Sequence, residues 1–360
     1  MKRSTISKTI LSAALLATIA AGVRAEGPTV SGFVDMGYNY NLNGANTNVL
    51  RSFDANANSF ILQNAEVVVN GSNDKGVAYR VDVDFGNDAG VQNGLDGFAA
   101  TTTYVNLQQA FLSLPCPLTH GTITVGKFVT PFGAEVIESK DNYNTSRGHL
   151  FNFAIPATHT GVKLDKGLKD GKLNLMAGIV NSWDLMQDNN KGKTVIAQAS
   201  LVPTEKLSVT VGGSYGPDQA TTTPSIEKNG RSLVDAIVKF TPTNKLTLLA
   251  NYDWGVEEGV GPSIDNTAAN WSGLALYGNL AFTDATSAAL RWETFDDEGA
   301  RTGTEQVLNS ITATLQQKYN GVILRAEYRM DKSTQKVYVD SDGLADDTQN
   351  TVGINAIYAF

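Results

Sequence analysis

The segment Val77 to Phe85 restricts the possible folds more than any other part of the chain. Val77, Tyr79, Val81, Val83 and Phe85 alternate with Ala78, Arg80, Asp82 and Asp84. A period of two means an extended strand whose faces differ, one wholly apolar and one charged. Such a strand needs an apolar medium on one side and water on the other. The medium is either a sheet-on-sheet core or lipid around a water-filled barrel. The pattern returns at Val322–Asp331, where Val322, Leu324, Ala326, Tyr328 and Met330 alternate with Arg325, Glu327 and Arg329. Further runs lie at Thr29–Asn41, Leu207–Tyr215, Leu246–Trp254 and Ala288–Glu293. Tyr104–Leu114 and Asn270–Phe282 are apolar on both faces, which leaves their inner side unassigned. In the last run Val352, Ile354, Ala356, Tyr358 and Phe360 share one face. Its length fits the about 9–11 residues of a bilayer-spanning barrel strand.

The connections separate lipid from a soluble core. Long ones, at about 42–58, 86–102, 128–148, 184–192, 217–230, 256–268, 296–304 and 332–349, interleave with short Gly-, Pro-, Asn- and Asp-rich turns such as Gly71–Gly76, Asp165–Gly171 and Thr241–Asn244. Membrane barrels sort their loops this way, with short periplasmic turns, long external loops and an even strand number. A sandwich or propeller has no reason to. Eight long loops and seven turns predict an all-β, transmembrane antiparallel β-barrel of about sixteen strands, within a range of fourteen to eighteen. No fixed repeat or linker divides residues 26–360, which read as one domain.

Residues 1–25 read as a cleaved signal peptide. Lys2, Arg3 and Lys8 precede an apolar run, Ile10 to Val23, and Val23-Arg24-Ala25 supplies the small-residue cleavage site. Without them, 24 Lys and Arg face 36 Asp and Glu, a net charge of −12. That balance excludes electrostatic binding of nucleic acid. The single cysteine, Cys116, excludes an intramolecular disulfide.

The most distinctive stretch is Gly126 to Leu164. It carries G-K-F-V-T-P-F-G-A-E, then N-Y-N-T-S-R, an aromatic run and I-P-A-T-H-T-G-V. The order and spacing of these segments resemble the beta-barrel porin-2 family (OmpL-like). The resemblance implies a porin-like channel of a Gram-negative outer membrane passing small hydrophilic solutes or ions by passive diffusion, and it supplies no particular solute. General porins suggest a homotrimer, and their third loop turns inward to narrow the lumen.

Here that loop, at about 128–148, and its flank offer Lys127, Glu135, Glu138, Lys140, Asp141 and Arg147 as polar groups for a constriction. Phe128, Phe132, Val136, Ile137, Leu150, Phe151 and Phe153 are the candidate anchors. The alternative is an external loop closed over the mouth by its own apolar cluster. Glu66, Arg80, Asp82, Asp84, Arg291, Glu293, Arg325, Glu327 and Arg329 are the candidate pore-lining residues. Charge facing lipid at the midplane would cost about 2–4 kcal/mol. Tyr358 and Phe360 resemble the C-terminal signal read by the barrel-assembly machinery. Outer-membrane lipid and lipopolysaccharide are the other expected partners.

No catalytic, metal or cofactor site is expected. Ser146, His149 and Asp141 have no spacing that defines a triad. The Asp342-Gly343 pair does not match a calcium loop, because Tyr338 and Gln349 fall at ligand positions. The rival functions are a non-conducting barrel acting as adhesin or scaffold, and an outer-membrane hydrolase.

Overall fold

The computed structural model describes residues 26–96, 103–219, 229–260 and 268–360; the expected signal peptide lies outside them. The first strands are β1 (Glu26–Asn41), β2 (Ser59–Ser72), β3 (Ala78–Phe85), β4 (Val105–Pro115), β5 (Thr122–Val129) and β6 (Thr158–Leu168). Helix α1 (Asn87–Leu95) stands between β3 and β4. Then come β7 (Leu173–Val180), β8 (Thr194–Thr204), β9 (Leu207–Pro217), β10 (Gly230–Phe240) and β11 (Leu246–Glu257). The last are β12 (Ala269–Ala281), β13 (Thr286–Glu298), β14 (Glu305–Tyr319), β15 (Val322–Ser333), the small hairpin β16 (Tyr338–Val339) and β17 (Ala345–Asp346), and β18 (Thr348–Ala359).

Strands β1 to β15 each pair with their chain neighbours, and β18 closes the ring between β15 and β1. The result is a closed sixteen-stranded antiparallel barrel. Closure runs from Phe33 opposite Ala359 to Asn41 opposite Thr351. Two backbone bonds of 3.0 Å between Gly32 and Phe360 extend it. A closed barrel leaves no edge strand, so every ladder group can be paired inside an apolar medium.

The outer face is the apolar one. Leu248, Leu276, Leu290, Leu315 and Ile354 are exposed there, with Tyr40, Phe60, Tyr215, Trp254, Tyr319 and Tyr358 among the aromatic residues. Amphipathic rings of this kind suit the two membrane interfaces. Val30 and Tyr358 are exposed while Asp35, Asp82, Arg291 and Arg329 are wholly buried inside.

Long and short connections alternate as the sequence implies, with one shift. The third loop runs over 130–157, not 128–148, because a π-helical turn, Leu150–Ala154, precedes β6. The two ambiguous segments also resolve. In β12 Trp271, Ala275 and Tyr277 face inward and are buried, so an apolar inner face there packs against the third loop. In β4 a register shift opposite Asp82 and Val83 turns both Gln108 and Gln109 inward, which hides the period of two.

Candidate functional site

The third loop folds into the barrel interior and is held against β1, β8, β11, β13 and β15. Its apolar residues make a dry cluster inside the lumen. Phe132, Ile137, Leu150 and Phe151 pack with Phe53 of the first loop and with Leu233, Trp271, Phe295 and Leu308 of the wall. Phe128 joins from β5, and Phe153 packs at the margin. Burying each such side chain is worth about 1.5–3 kcal/mol, enough to hold a loop that also carries unpaired backbone into the barrel. Trp271 donates through Nε1 to the Ala154 carbonyl at 3.1 Å, so even the indole inside this cluster is satisfied.

Polar contacts pin the same loop along its length. Gln198 of β8 donates to the Pro131 carbonyl and Asn251 of β11 accepts from the Ala134 amide at 2.9 Å. Arg291 of β13 donates to Glu135 and to the Ser146 carbonyl, each at 2.6 Å. Glu293 accepts from the His149 amide at 2.7 Å. Glu327 of β15 accepts from the Thr145 and Ser146 amides at 2.6 and 3.0 Å. Arg325 donates to the Ser139 and Asn142 carbonyls at 2.7 and 2.8 Å, and Arg329 to the Arg147 carbonyl at 2.6 Å. Ser139, in a single 3-10 turn (Ser139–Asp141), reaches Asp35 of β1.

Arg291, Glu293 and Arg329 are therefore inward-facing but wholly buried beneath the loop, and Arg325 and Glu327 nearly so. They act as its moorings. Arg329 is balanced by Asp331 at 2.7 Å and Arg291 by Glu135, whereas Arg325 and Glu327 meet carbonyls and amides of the loop. Gly148 passes so close to Glu293 that a Cβ there would lie 2.4 Å from its carboxylate.

The opposite wall carries Glu66, Arg80, Asp82 and Asp84 on β2 and β3. Arg80 pairs with Asp82 at 2.9 Å and keeps about a third of its side chain exposed, 34%. Lys140 and Asp141 at the loop's 3-10 turn pair with each other and are also partly exposed. Burial pushes the Glu138 carboxyl up, against the pull of Lys140. Lys127 stands on β5 rather than in the loop, buried, with Nζ 2.6 Å from Asp96 at the end of α1.

Several groups that shape the lumen escape the sequence reading. Lys163 and Asp165 of β6 pair at 2.6 Å and remain partly exposed. Their signal is the alternation with Val162 and Leu164, obscured when Asp165–Gly171 is taken as a turn. Arg51 of the first loop pairs with Asp54 at 2.5 Å and Asp331 at 2.6 Å. Arg147 meets Asp88 of α1 at 3.2 Å and lies 4.5 Å over the Phe53 ring, so the first three loops are tied together. The guanidiniums of Arg231 and Arg301 lie 4.8 and 4.9 Å from the Trp183 ring. No local pattern announces these contacts.

Burial pushes the Asp88 carboxyl up to about 7 from an ordinary 3.8, with Arg147 and then Gln63 opposing the rise. The folded protein thus binds this proton more tightly than the unfolded chain. The stabilisation is full below about pH 4 and is lost as pH climbs through about 7, on the order of a few kcal/mol at most. Wild type should lose more thermal stability between pH 5 and pH 8 than Asp88→Asn does. Equal losses in the two proteins would contradict the assignment.

Comparison with known proteins places this architecture. The family model described as Putative beta-barrel porin-2, OmpL-like, matches residues 27–360. A search of curated proteins returned no match. Among solved structures, the chain is similar to the outer-membrane channel DcaP of Acinetobacter baumannii, with a TM-score of 0.66 at 13% identity over 95% of this chain and 100% of that one. It is similar to an anion-selective porin of Comamonas acidovorans, with a TM-score of 0.65 at 10% identity, over 93% and 100%. A trimer form of OmpT, an outer-membrane protein of Vibrio cholerae, matches with a TM-score of 0.60 at 15% identity, over 93% and 100%. At these identities the structural likeness shows the fold.

Proposed function

Because the chain belongs to the beta-barrel porin-2, OmpL-like family of bacterial outer-membrane porins, we propose that solutes cross along the side of the lumen left open by the third loop. The observation that carries this reading is the asymmetry of the interior. The loop is moored against β7, β8 and β10–β14 in a dry cluster and to β15 by buried polar contacts, whereas Arg80, Lys140, Asp141, Lys163 and Asp165 remain partly exposed. A narrow path with both signs of charge along it passes small hydrophilic solutes and ions and resists apolar or bulky ones. The process is passive diffusion, with no chemical step. Ser146 is held by Arg291 and Glu327, and the buried His149 ring stacks on Phe153, so neither is presented to a substrate.

The assembly is a homotrimer, a reading supported by likeness to the trimeric OmpT form. Residues 1–25 direct export, and Tyr358 and Phe360 serve recognition by the assembly machinery. Lipid and lipopolysaccharide surround the apolar outer face. Swelling of liposomes carrying the mature protein tests the channel. The rate should fall steeply from small to large sugars. No swelling with any sugar, or equal rates for all, would contradict a size-limited path.

A further inference from the structure

Glu66 of β2 and Asp84 of β3 stand directly opposite each other in the ladder, and both face the barrel interior. Directly opposed residues on neighbouring strands bring their Cβ atoms to about 4.5–5.5 Å, and like charges so placed repel. The two are 2% and 0% exposed, so water does not screen them. Their neighbour Asp82 is paired with Arg80, but neither Glu66 nor Asp84 has a Lys, Arg or His at ion-pairing distance among the described residues. Two carboxylates without a cationic partner in one dry place are neutralised either by protons or by a bound cation.

The surroundings are made of amides. Asp84 accepts from Asn64 at 3.2 Å, from Gln92 of α1 at 2.6 Å and from Gln108 of β4 at 2.9 Å. All three side chains are at least nine-tenths buried, yet Asn64 Oδ1, Gln92 Oε1 and Gln108 Oε1 have no hydrogen-bond partner. Glu66 Oε2 has none either. Each of the three orphaned amide oxygens belongs to a side chain whose nitrogen already sits at Asp84. A half-turn of an amide about its last bond presents its oxygen in place of its nitrogen. Buried acceptors left without donors are costly, each about 1–3 kcal/mol, and a cation satisfies several at once.

We propose that Glu66 and Asp84, with the amide oxygens of Asn64, Gln92 and Gln108, bind one calcium ion. Calcium takes about six to eight oxygen ligands from carboxylates and amide carbonyls in adaptable geometry. The five side chains offer oxygen donors only, with no imidazole or thiolate for a softer metal. Magnesium demands stricter octahedral geometry and keeps its own waters, which a dry, amide-lined site does not favour. Gln92 comes from the second loop and the other ligands from the wall, so the ion would fasten α1 to the barrel. The site lies beside the proposed solute path and does not depend on it.

The test uses the mature protein folded in detergent, freed of metal by a chelator and titrated with calcium chloride in a calorimeter. One ion should bind per chain, and the thermal midpoint should rise when calcium replaces chelator. Glu66→Gln combined with Asp84→Asn should abolish both effects, whereas Asp342→Asn in the exposed last loop should leave them. Gln92→Ala alters no wall residue, and it should weaken binding by at least about ten-fold. No binding at millimolar calcium would overturn the proposal. So would binding that survives in the double variant or in Gln92→Ala, or magnesium binding as tightly as calcium.

Discussion

Arg291→Ala is expected to release the third loop from the wall, raising single-channel conductance and lowering thermal stability together. The guanidinium donates at 2.6 Å to Glu135 and to the Ser146 carbonyl, and at 2.9 Å to Thr312. It thus joins the two ends of the loop's inward excursion to β13 and β14. Alanine leaves Glu135 and Glu293 buried without their main cation, and breaking one side of such a buried pair costs about 3–5 kcal/mol. The cheapest relief is for the loop to move and let water in. Movement widens the path, so conductance should rise and fluctuate between levels. Arg291→Lys should recover part of the stability, since it restores charge but not the forked geometry. Unchanged conductance and an unchanged melting point in Arg291→Ala would show that the mooring does not govern the pore.

Removal of Phe360 is expected to reduce folded protein in the outer membrane severely. Its backbone makes both of the 3.0 Å bonds with Gly32 that continue the β1–β18 seam, and its ring is exposed on the lipid side. Two lost backbone bonds remove about 1–3 kcal/mol from the contact that turns a sheet into a closed barrel. The proposed signal for assembly is lost with them. Cell fractionation and heat-dependent gel mobility would follow the outcome. Insertion at the wild-type level would reject a role for Phe360 in assembly.

How much of this was legible in the sequence depends on the range of the interaction concerned. Val77–Phe85 and Val322–Asp331 declare their two faces because alternation is a property of neighbouring residues. The loop alternation likewise marks sixteen strands, and the G-K-F-V-T-P-F-G-A-E stretch marks the third loop. Trp271 and Tyr277 read as outward apolar residues as readily as inward ones, since their burial depends on a loop more than a hundred residues away. Lys163 and Asp165 were hidden by a turn placed too early. Arg51 with Asp331 and Arg147 with Asp88 pair residues far apart in the chain, which one sequence does not encode in any local spacing. The charges Arg291, Glu293 and Arg329 could be assigned to the inner face, but their covering by the loop belongs to the folded interior alone.

The central claim, a passive channel narrowed by a moored third loop, is tested most directly by single-channel recording of the mature protein in a planar bilayer under a salt gradient. Discrete, uniform conducting steps are predicted for wild type, with larger and unsteady steps for Arg291→Ala in the same bilayer. A folded, inserted barrel that never conducts would contradict the account.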